Sequence, residues 1–251
     1  MQRYFIKEKK ETLTSAITIT GDDVHHISRV MRMKPGSSLI CCTSDGQVAQ
    51  CEIEEVNEDS ILCRIVEWQN IDHELPVSVT IASGLPKGDK LEWIFQKGTE
   101  LGAASFIPFN AARSVVKIDS KKAPKKVERW RKIVKEASEQ SYRNLIPEVH
   151  EPTGWNKLLE ISKSFDLKIV AYEESAKKDE LSNLAKALNT AIPGQSILVV
   201  FGPEGGLTEE EIKQLTDTDF IVCGLGPRIL RTETAPLYVL SAISYNFELS
   251  R

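Results

Sequence analysis

Residues 225–236 read Leu225-Gly226-Pro227-Arg228-Ile229-Leu230-Arg231-Thr232-Glu233-Thr234-Ala235-Pro236. A short apolar run (220–223) precedes them, and an apolar helical pattern (about 233–248) follows. The stretch therefore links a strand to a helix, with Thr232 as the expected N-cap and Pro236 in the first turns. Two arginines and a glutamate on a rigid loop beside a glycine turn suit a site; a surface salt-bridge cluster is the alternative. Upstream, Val200-Phe201-Gly202-Pro203-Glu204-Gly205-Gly206-Leu207-Thr208 repeats the design. A buried strand enters a glycine-rich turn, and Thr208 caps a helix opening with Glu209, Glu210 and Glu211. Glycines let a ligand approach the backbone closely, and bare amides then donate to it. No Lys-Ser/Thr pair follows, so this is not a P-loop, nor is it the G-x-G-x-x-G fingerprint. The acids make it a poor phosphate cradle. A cationic ligand, or adenine and ribose read by backbone groups, fits better, with a plain tight turn as the bland alternative.

Working outward, the chain from residue 77 alternates strands and helices. Strands are expected at 77–83, 105–109, 167–172, 196–201 and 220–223. Helices are expected at 89–101, 124–142, 179–189, 208–216 and 233–248. That alternation predicts a parallel sheet with helices on both faces and ligands beyond the strands' carboxyl ends. The first 70 or so residues differ. Runs at 16–20, 38–43, 47–56 and 60–67 are rich in Ile, Val, Thr and Cys, with one short helix at about 22–32. Asp45-Gly46 is a hairpin signal between two of them. A small β-barrel is expected there, ending at the breaker region 70–76.

With 251 residues, 41% hydrophobic and 27% charged, the chain has the balance of a soluble protein with a core. This composition excludes disordered, coiled-coil and collagen-like classes, and no apolar run reaches the ~18 residues of a membrane span. The charged start, 1–10, does not resemble a secretion signal. Cys41, Cys42, Cys51, Cys63 and Cys223 show no metal spacing and are expected as reduced core thiols of a cytoplasmic protein. The formal charge is −4, yet residues 113–143 hold 11 Lys+Arg against 4 Asp+Glu. One concentrated basic segment in an acidic protein suits a polyanion gripped in one place, or else a solvated helix face.

That segment contains Arg113, Lys121, Lys122, Lys125, Lys126, Arg129, Arg131, Lys132 and Lys135, and ends in Gln140-Ser141-Tyr142-Arg143. Trp130 falls at helical spacing with Ile133, Val134 and Ala137, so its ring is read as core. A second basic group lies near the amino end: Arg3, His25, His26, Arg29 and Arg32. Residues 25, 29 and 32 share one face of the expected helix, suited to a phosphate or base. A histidine pair without a third ligand is a weak metal signal, and ordinary half-buried histidines are the alternative.

Taken together, Phe201–Gly206 and Leu225–Ala235 resemble the cofactor-binding signature of SPOUT-class methyltransferases, and more narrowly of the RsmE family. Met1-Gln2-Arg3-Tyr4-Phe5, His25-His26-Ile27-Ser28-Arg29-Val30-Met31-Arg32, Lys97-Gly98-Thr99-Glu100-Leu101-Gly102 and Glu139-Gln140-Ser141-Tyr142-Arg143 resemble that family in order, so the likeness covers the chain. The resemblance implies an α/β fold: a PUA-like β-barrel binding RNA over 1–72, and a SPOUT domain with a deep trefoil knot over 73–251. It implies S-adenosyl-L-methionine as cofactor, methylation of N3 of a 16S ribosomal RNA uridine, a homodimer, and no membrane or metal. The cofactor pocket it implies is built from Tyr172 and Glu173, then Phe201, Gly202, Pro203, Glu204, Gly205 and Gly206, then Leu225, Gly226, Leu230, Arg231, Thr232, Thr234 and Ala235. Backbone amides of Leu225 and Leu230 are the candidates for reading adenine.

Uracil N3 is a weak nucleophile until its proton leaves, so the chemistry needs alignment and stabilisation of the anion. Arg231 and then Arg228 are the candidates for holding that charge. Glu233 either accepts the proton, directly or through water, or merely caps the helix or pairs with Arg231. Arg3, His25, Arg29, Arg32, Arg113, Lys125, Lys126, Lys132 and Arg143 are the candidate RNA contacts. The competing readings are a non-catalytic RNA-binding assembly factor of the ribosome, and a SPOUT enzyme acting on ribose 2′-hydroxyl or on transfer RNA.

Overall fold

Strand-forming runs with alternating burial build the first sheet. The computed structural model describes residues 1–116, 123–173 and 183–250. By packing these fall into two units, residues 1–74 with 138–146, and residues 75–137 with 147 onward. In the first unit the strands are β1 (Arg3–Phe5), β2 (Ala16–Thr20), β3 (Ser38–Cys42), β4 (Val48–Val56) and β5 (Ser60–Gln69). They form one curled sheet, a half-barrel, ordered β1-β3-β4-β5-β2. Ile17, Ile19, Leu39, Cys41, Cys51, Ile53, Ile61 and Cys63 fill its interior, the period of two that a one-sided sheet requires. Gly46, at φ +76°, turns the chain from β3 into β4, as the Asp-Gly pair predicts. The expected helix is present as α1 (Asp22–His25) continued by a wider π turn, His26–Val30. The sequence reading did not include β1, a three-residue strand too short to show periodicity.

Two buried ionic side chains fasten residues 138–146 into this unit. Arg143 Nε donates to both carboxylate oxygens of Glu74 at 2.9 Å, and the amides of Asn144 and Leu145 donate to Glu74 Oε1. Burial pushes the Glu74 carboxyl up, but the hydrogen bonds and charge of Arg143 outweigh it and hold the group below its ordinary value. Arg3 Nη1 donates to the carbonyls of Tyr142 and Arg143 and to Asn144 Oδ1.

The second unit contains β6 (Ser78–Gly84), α2 (Lys90–Glu100), β7 (Ser105–Asn110), most of α3 (Ala123–Gln140), β8 (Glu148–Val149), β9 (Thr153–Gly154), α4 (Trp155–Ser162) and β10 (Leu167–Ala171). It continues through α5 (Asn183–Thr190), β11 (Ser196–Phe201), α6 (Glu209–Thr216), β12 (Ile221–Cys223) and α7 (Ala235–Ser244), which ends in a π turn, Tyr245–Leu249. All pairings are parallel, in the order β12-β10-β11-β6-β7-β8, with β9 beside β7. Alternate strand residues feed two cores. Ile81, Phe106, Ile169, Val199 and Phe201 meet α2, α3, α5 and α7 on one face. Ala82, Ile107, Val170, Leu198 and Val200 meet Leu158 of α4 and Leu215 of α6 on the other. Helices therefore cover both faces, as the apolar runs predict. Trp130 packs edge-on to Phe95 at 5.2 Å and is core.

One local expectation needs correction. Thr232 does not cap the last helix: the amides of Thr234 and Ala235 both donate to the Arg231 carbonyl, closing a turn first. The N-cap is Thr234, without a side-chain bond, and Pro236 is second in the helix. The short β8, β9 and α4 were absent from the sequence reading. Lys121, Lys122 and the expected start of α5 at 179–182 lie outside the described residues.

Candidate functional site

Registers Ala171↔Phe201, Phe201↔Ser83 and Ala171↔Cys223 bring the carboxyl ends of β6, β10, β11 and β12 level. The loops leaving these ends enclose a cleft of about 490 Å³, within the range of small-molecule sites. After β11, the chain doubles back so tightly that a Cβ on Gly202 would lie 2.9 Å from the Gly206 carbonyl carbon and the Leu207 nitrogen. Only glycine fits there. Thr208 then closes a capping box with Glu211, anchoring the end of this turn to α6. Arg113, which also lines the cleft, braces it, donating to the carbonyls of Gly205 (3.1 Å) and Leu207 (3.2 Å).

Lys90, at the start of α2, ties the two glycine-bearing loops together. Its Nζ donates to Glu204 Oε1 at 2.8 Å and lies 3.8 Å from Glu233 Oε2. The backbone amide of Lys87 also donates to Glu204 Oε1. The hydrogen bond to Glu204 holds the Lys90 ammonium above its ordinary value. Burial pushes the Glu204 carboxyl up, but the bond from Lys90 prevails and keeps it below its usual range. Glu233 Oε2 is buried and has no hydrogen-bond partner. The wall of the cleft thus combines an acidic rim, apolar Phe201, Leu225 and Leu230, and turns of exposed backbone.

A family model described as an RNA methyltransferase domain matches residues 73–244, and one described as an RNA methyltransferase PUA domain matches residues 19–66. The ribosomal RNA small subunit methyltransferase E of Bacillus subtilis is 59% identical over all of this chain and 99% of its own. Its Mycobacterium tuberculosis counterpart is 31% identical over 92% of this chain and 87% of its own. This chain belongs to the ribosomal RNA small subunit methyltransferase E family. Among solved structures, that of the family member from Neisseria gonorrhoeae bound to S-adenosyl methionine is 28% identical, covers 97% of both chains and has a TM-score of 0.84. A Legionella pneumophila methyltransferase in complex with the same cofactor covers 96% of both chains, with a TM-score of 0.82. The fold is the α/β SPOUT type with a PUA-like amino-terminal unit.

Within this family fold, the residues named from sequence divide cleanly by position. Tyr172, Glu173, Phe201, Gly202, Pro203, Glu204, Gly205, Gly206, Leu225, Gly226, Leu230, Arg231, Thr232 and Ala235 line the cleft, as does Arg228. Thr234, the N-cap of α7, is not among the lining residues. Glu233 joins the site through Lys90 rather than as a lining residue. Of the basic residues, His25, Arg29, Arg32, Lys125, Lys126 and Lys132 are exposed. Arg3 and Arg143 are only 4% and 3% exposed, and their guanidinium groups bind Glu74 and the 142–144 turn inside the protein. Arg113 sits against the Gly205 turn instead of standing with the helix lysines.

Lys90 escaped the sequence reading. Its available signal was position: Gly84-Leu85-Pro86-Lys87-Gly88-Asp89-Lys90 is a glycine-bearing loop leaving a strand's carboxyl end. Among the described residues, no group of His, Cys, Asp and Glu is placed to hold a metal, and no helix is long and apolar enough to cross a membrane. All five cysteines are buried.

Proposed function

We propose that this chain transfers a methyl group from S-adenosylmethionine to N3 of a uridine in the 16S RNA of the small ribosomal subunit. The observation that carries the reading is the cleft of three loops at the sheet's carboxyl ends, in a chain akin over its whole length to ribosomal RNA small subunit methyltransferases. The residues present fit the cofactor. Backbone turns suit adenine and ribose, and the lining carboxylates Glu173 and Glu204 suit a ligand with ammonium and sulfonium charges. When bound, the cofactor supplies an electrophilic methyl group on a cationic sulfur. Arg231, exposed on the rim, holds the negative charge that develops on the uracil oxygens, with Arg228 beside it along the loop. Glu233 takes up the N3 proton through water, because its Oε2 is buried off the cleft wall, 3.8 Å from the Lys90 ammonium that keeps the carboxylate in place. The uridine must leave its stack for N3 to be reached.

Exposed His25, Arg29 and Arg32 on the amino-terminal unit, and Lys125, Lys126 and Lys132 on α3, meet RNA phosphates. The division of labour is RNA presentation by residues 1–72 together with the exposed side of α3, and chemistry by the rest of 73–251, acting in the cytoplasm. The trefoil knot belongs to the same reading. After the edge strand β12 the chain returns inward to pack α7 on β11 and α2, so the 224–234 connection crosses the strand ends. Homodimerisation is supported by exposed Tyr238, Tyr245 and Leu249, spaced i, i+7 and i+11 along the α7 segment.

The test is methyl transfer to small subunits from a strain lacking the protein, followed by mapping. N3 methylation blocks the base-pairing edge, so reverse transcription stops at one uridine. A modified ribose, or cofactor uptake without transfer, would replace the N3 assignment.

A further inference from the structure

We infer that Tyr142 is a stacking platform for an unpaired nucleobase, an inference that rests on the RNA reading above. Tyr142 adopts φ +59°, the left-handed region that side chains other than those of Gly, Asn and Asp rarely occupy. Such strain persists only where the surroundings over-determine it, and it gathers at functional positions. Here the surroundings do over-determine it. The carbonyls of Tyr142 and Arg143 both accept from Arg3 Nη1, while Arg143 itself, Asn144 N and Leu145 N are bound to Glu74. The turn is therefore rigid, built on two buried guanidinium groups and one half-buried carboxylate.

The ring that this turn presents is 49% exposed. Its inner side is covered by the Arg3 guanidinium, 5.3 Å from the ring centroid, within cation–π range. Arg3 is itself buried, so the charge stays behind the ring and only the aromatic surface faces outward. A fixed, exposed ring backed by a cation is the arrangement that stacks on a splayed base, in the way single-stranded RNA readers use aromatic side chains. Among the described residues Tyr142 belongs to none of the buried hydrophobic clusters, so the protein's own core gives no reason to hold a large side chain in this conformation. Glycine would relieve the backbone. The ligand class is a single-stranded ribonucleotide segment, with any base accepted because every base has a π face.

The test pairs RNA binding with melting temperature for the full-length protein and its Tyr142→Gly and Tyr142→Phe variants. The probe is a fluorescent single-stranded oligoribonucleotide carrying 2-aminopurine, titrated across a salt series. Expected is about tenfold weaker binding for Tyr142→Gly, the size of one lost base–aromatic stack. Its salt slope stays unchanged because no phosphate contact is removed, and it melts close to the wild type. Tyr142→Phe keeps the affinity and the 2-aminopurine quenching. Equal affinity for wild type and Tyr142→Gly, with a lower melting temperature, would assign the ring a purely structural role and overturn the platform. Loss of affinity in Tyr142→Phe equal to that in Tyr142→Gly would replace stacking by a hydroxyl contact. Absence of salt-dependent binding by the wild type would instead remove the RNA reading itself, and the platform with it.

Discussion

Arg231 and Glu233 stand two residues apart on one loop, yet they are held in different ways. Arg231 lines the cleft at its exposed rim, whereas Glu233 keeps one carboxylate oxygen buried and reaches the site only beside Lys90. A group that meets charge only as it develops should affect rate more than ground-state binding. Arg231→Ala is expected to lower single-turnover methyl transfer by about 10²–10³-fold, the usual effect of losing one such donor. Cofactor affinity by calorimetry should change far less. An unchanged single-turnover rate would take Arg231 out of the chemistry. Gly202 carries the opposite signature. A methyl group there collides with the backbone of Gly206 and Leu207, and overpacking of this kind costs about 1–3 kcal/mol. Gly202→Ala should therefore weaken cofactor binding roughly tenfold or more, and the measured dissociation constant checks it. The sequence pointed to both residues because glycine density and paired arginines are local signals. It did not point to Lys90, whose role arises from a fold-made meeting with residues 114 and 143 positions away.

At the scale of elements, long amphipathic helices and period-two strands were legible, while β1, β8, β9 and α4 were not. Each of the three strands is only two or three residues long and is held by pairing partners rather than by its own pattern. Nor did local pattern predict that residues 138–146 would join the amino-terminal half-barrel. That attachment is made by Arg143, which as a sequence letter looks like part of a basic RNA face, and by Glu74, which falls in the breaker region 70–76. Glu74 is 18% exposed and Arg143 4% by side chain, so removing one partner leaves a buried charge. Glu74→Gln is expected to destabilise the protein by about 3–5 kcal/mol in urea unfolding at neutral pH. The pH dependence follows from the depressed carboxyl. Its contribution is complete above the unfolded value of 4.5 and is lost as pH falls through the lower folded value. The gap between wild type and Glu74→Gln should accordingly narrow below pH 4.5, and a gap constant from pH 7 to 3 would show that the pair does not hold the turn.

Across the whole molecule, the formal charge of −4 conceals a division that the structure refines. Of the 11 basic residues between 113 and 143, Arg113 braces the glycine turn and Arg143 is buried against Glu74. What is left for a polyanion within the described residues is the outer side of α3, where Lys125, Lys126 and Lys132 are exposed while Val127, Trp130 and Val134 face the core. One helix thus has a packed side and a charged outer side, which is why the segment reads from sequence either as a grip for a polyanion or as a solvated helix face, with Trp130 as core. Phosphate contacts release counterions, so their number sets the salt dependence of affinity. Replacing Lys125, Lys126 and Lys132 together with Gln should weaken RNA binding and flatten the plot of log affinity against log salt by about 2, near 0.7 per lost single-strand contact. Cofactor binding should stay as in the wild type, because none of the three lines the cleft. Removing only Arg129 is expected to do less, since it is already paired with Glu92 at 2.7 Å. An unaltered slope in the triple variant would move the phosphate contacts off this helix, leaving His25, Arg29 and Arg32 as the remaining candidates from the sequence to carry them.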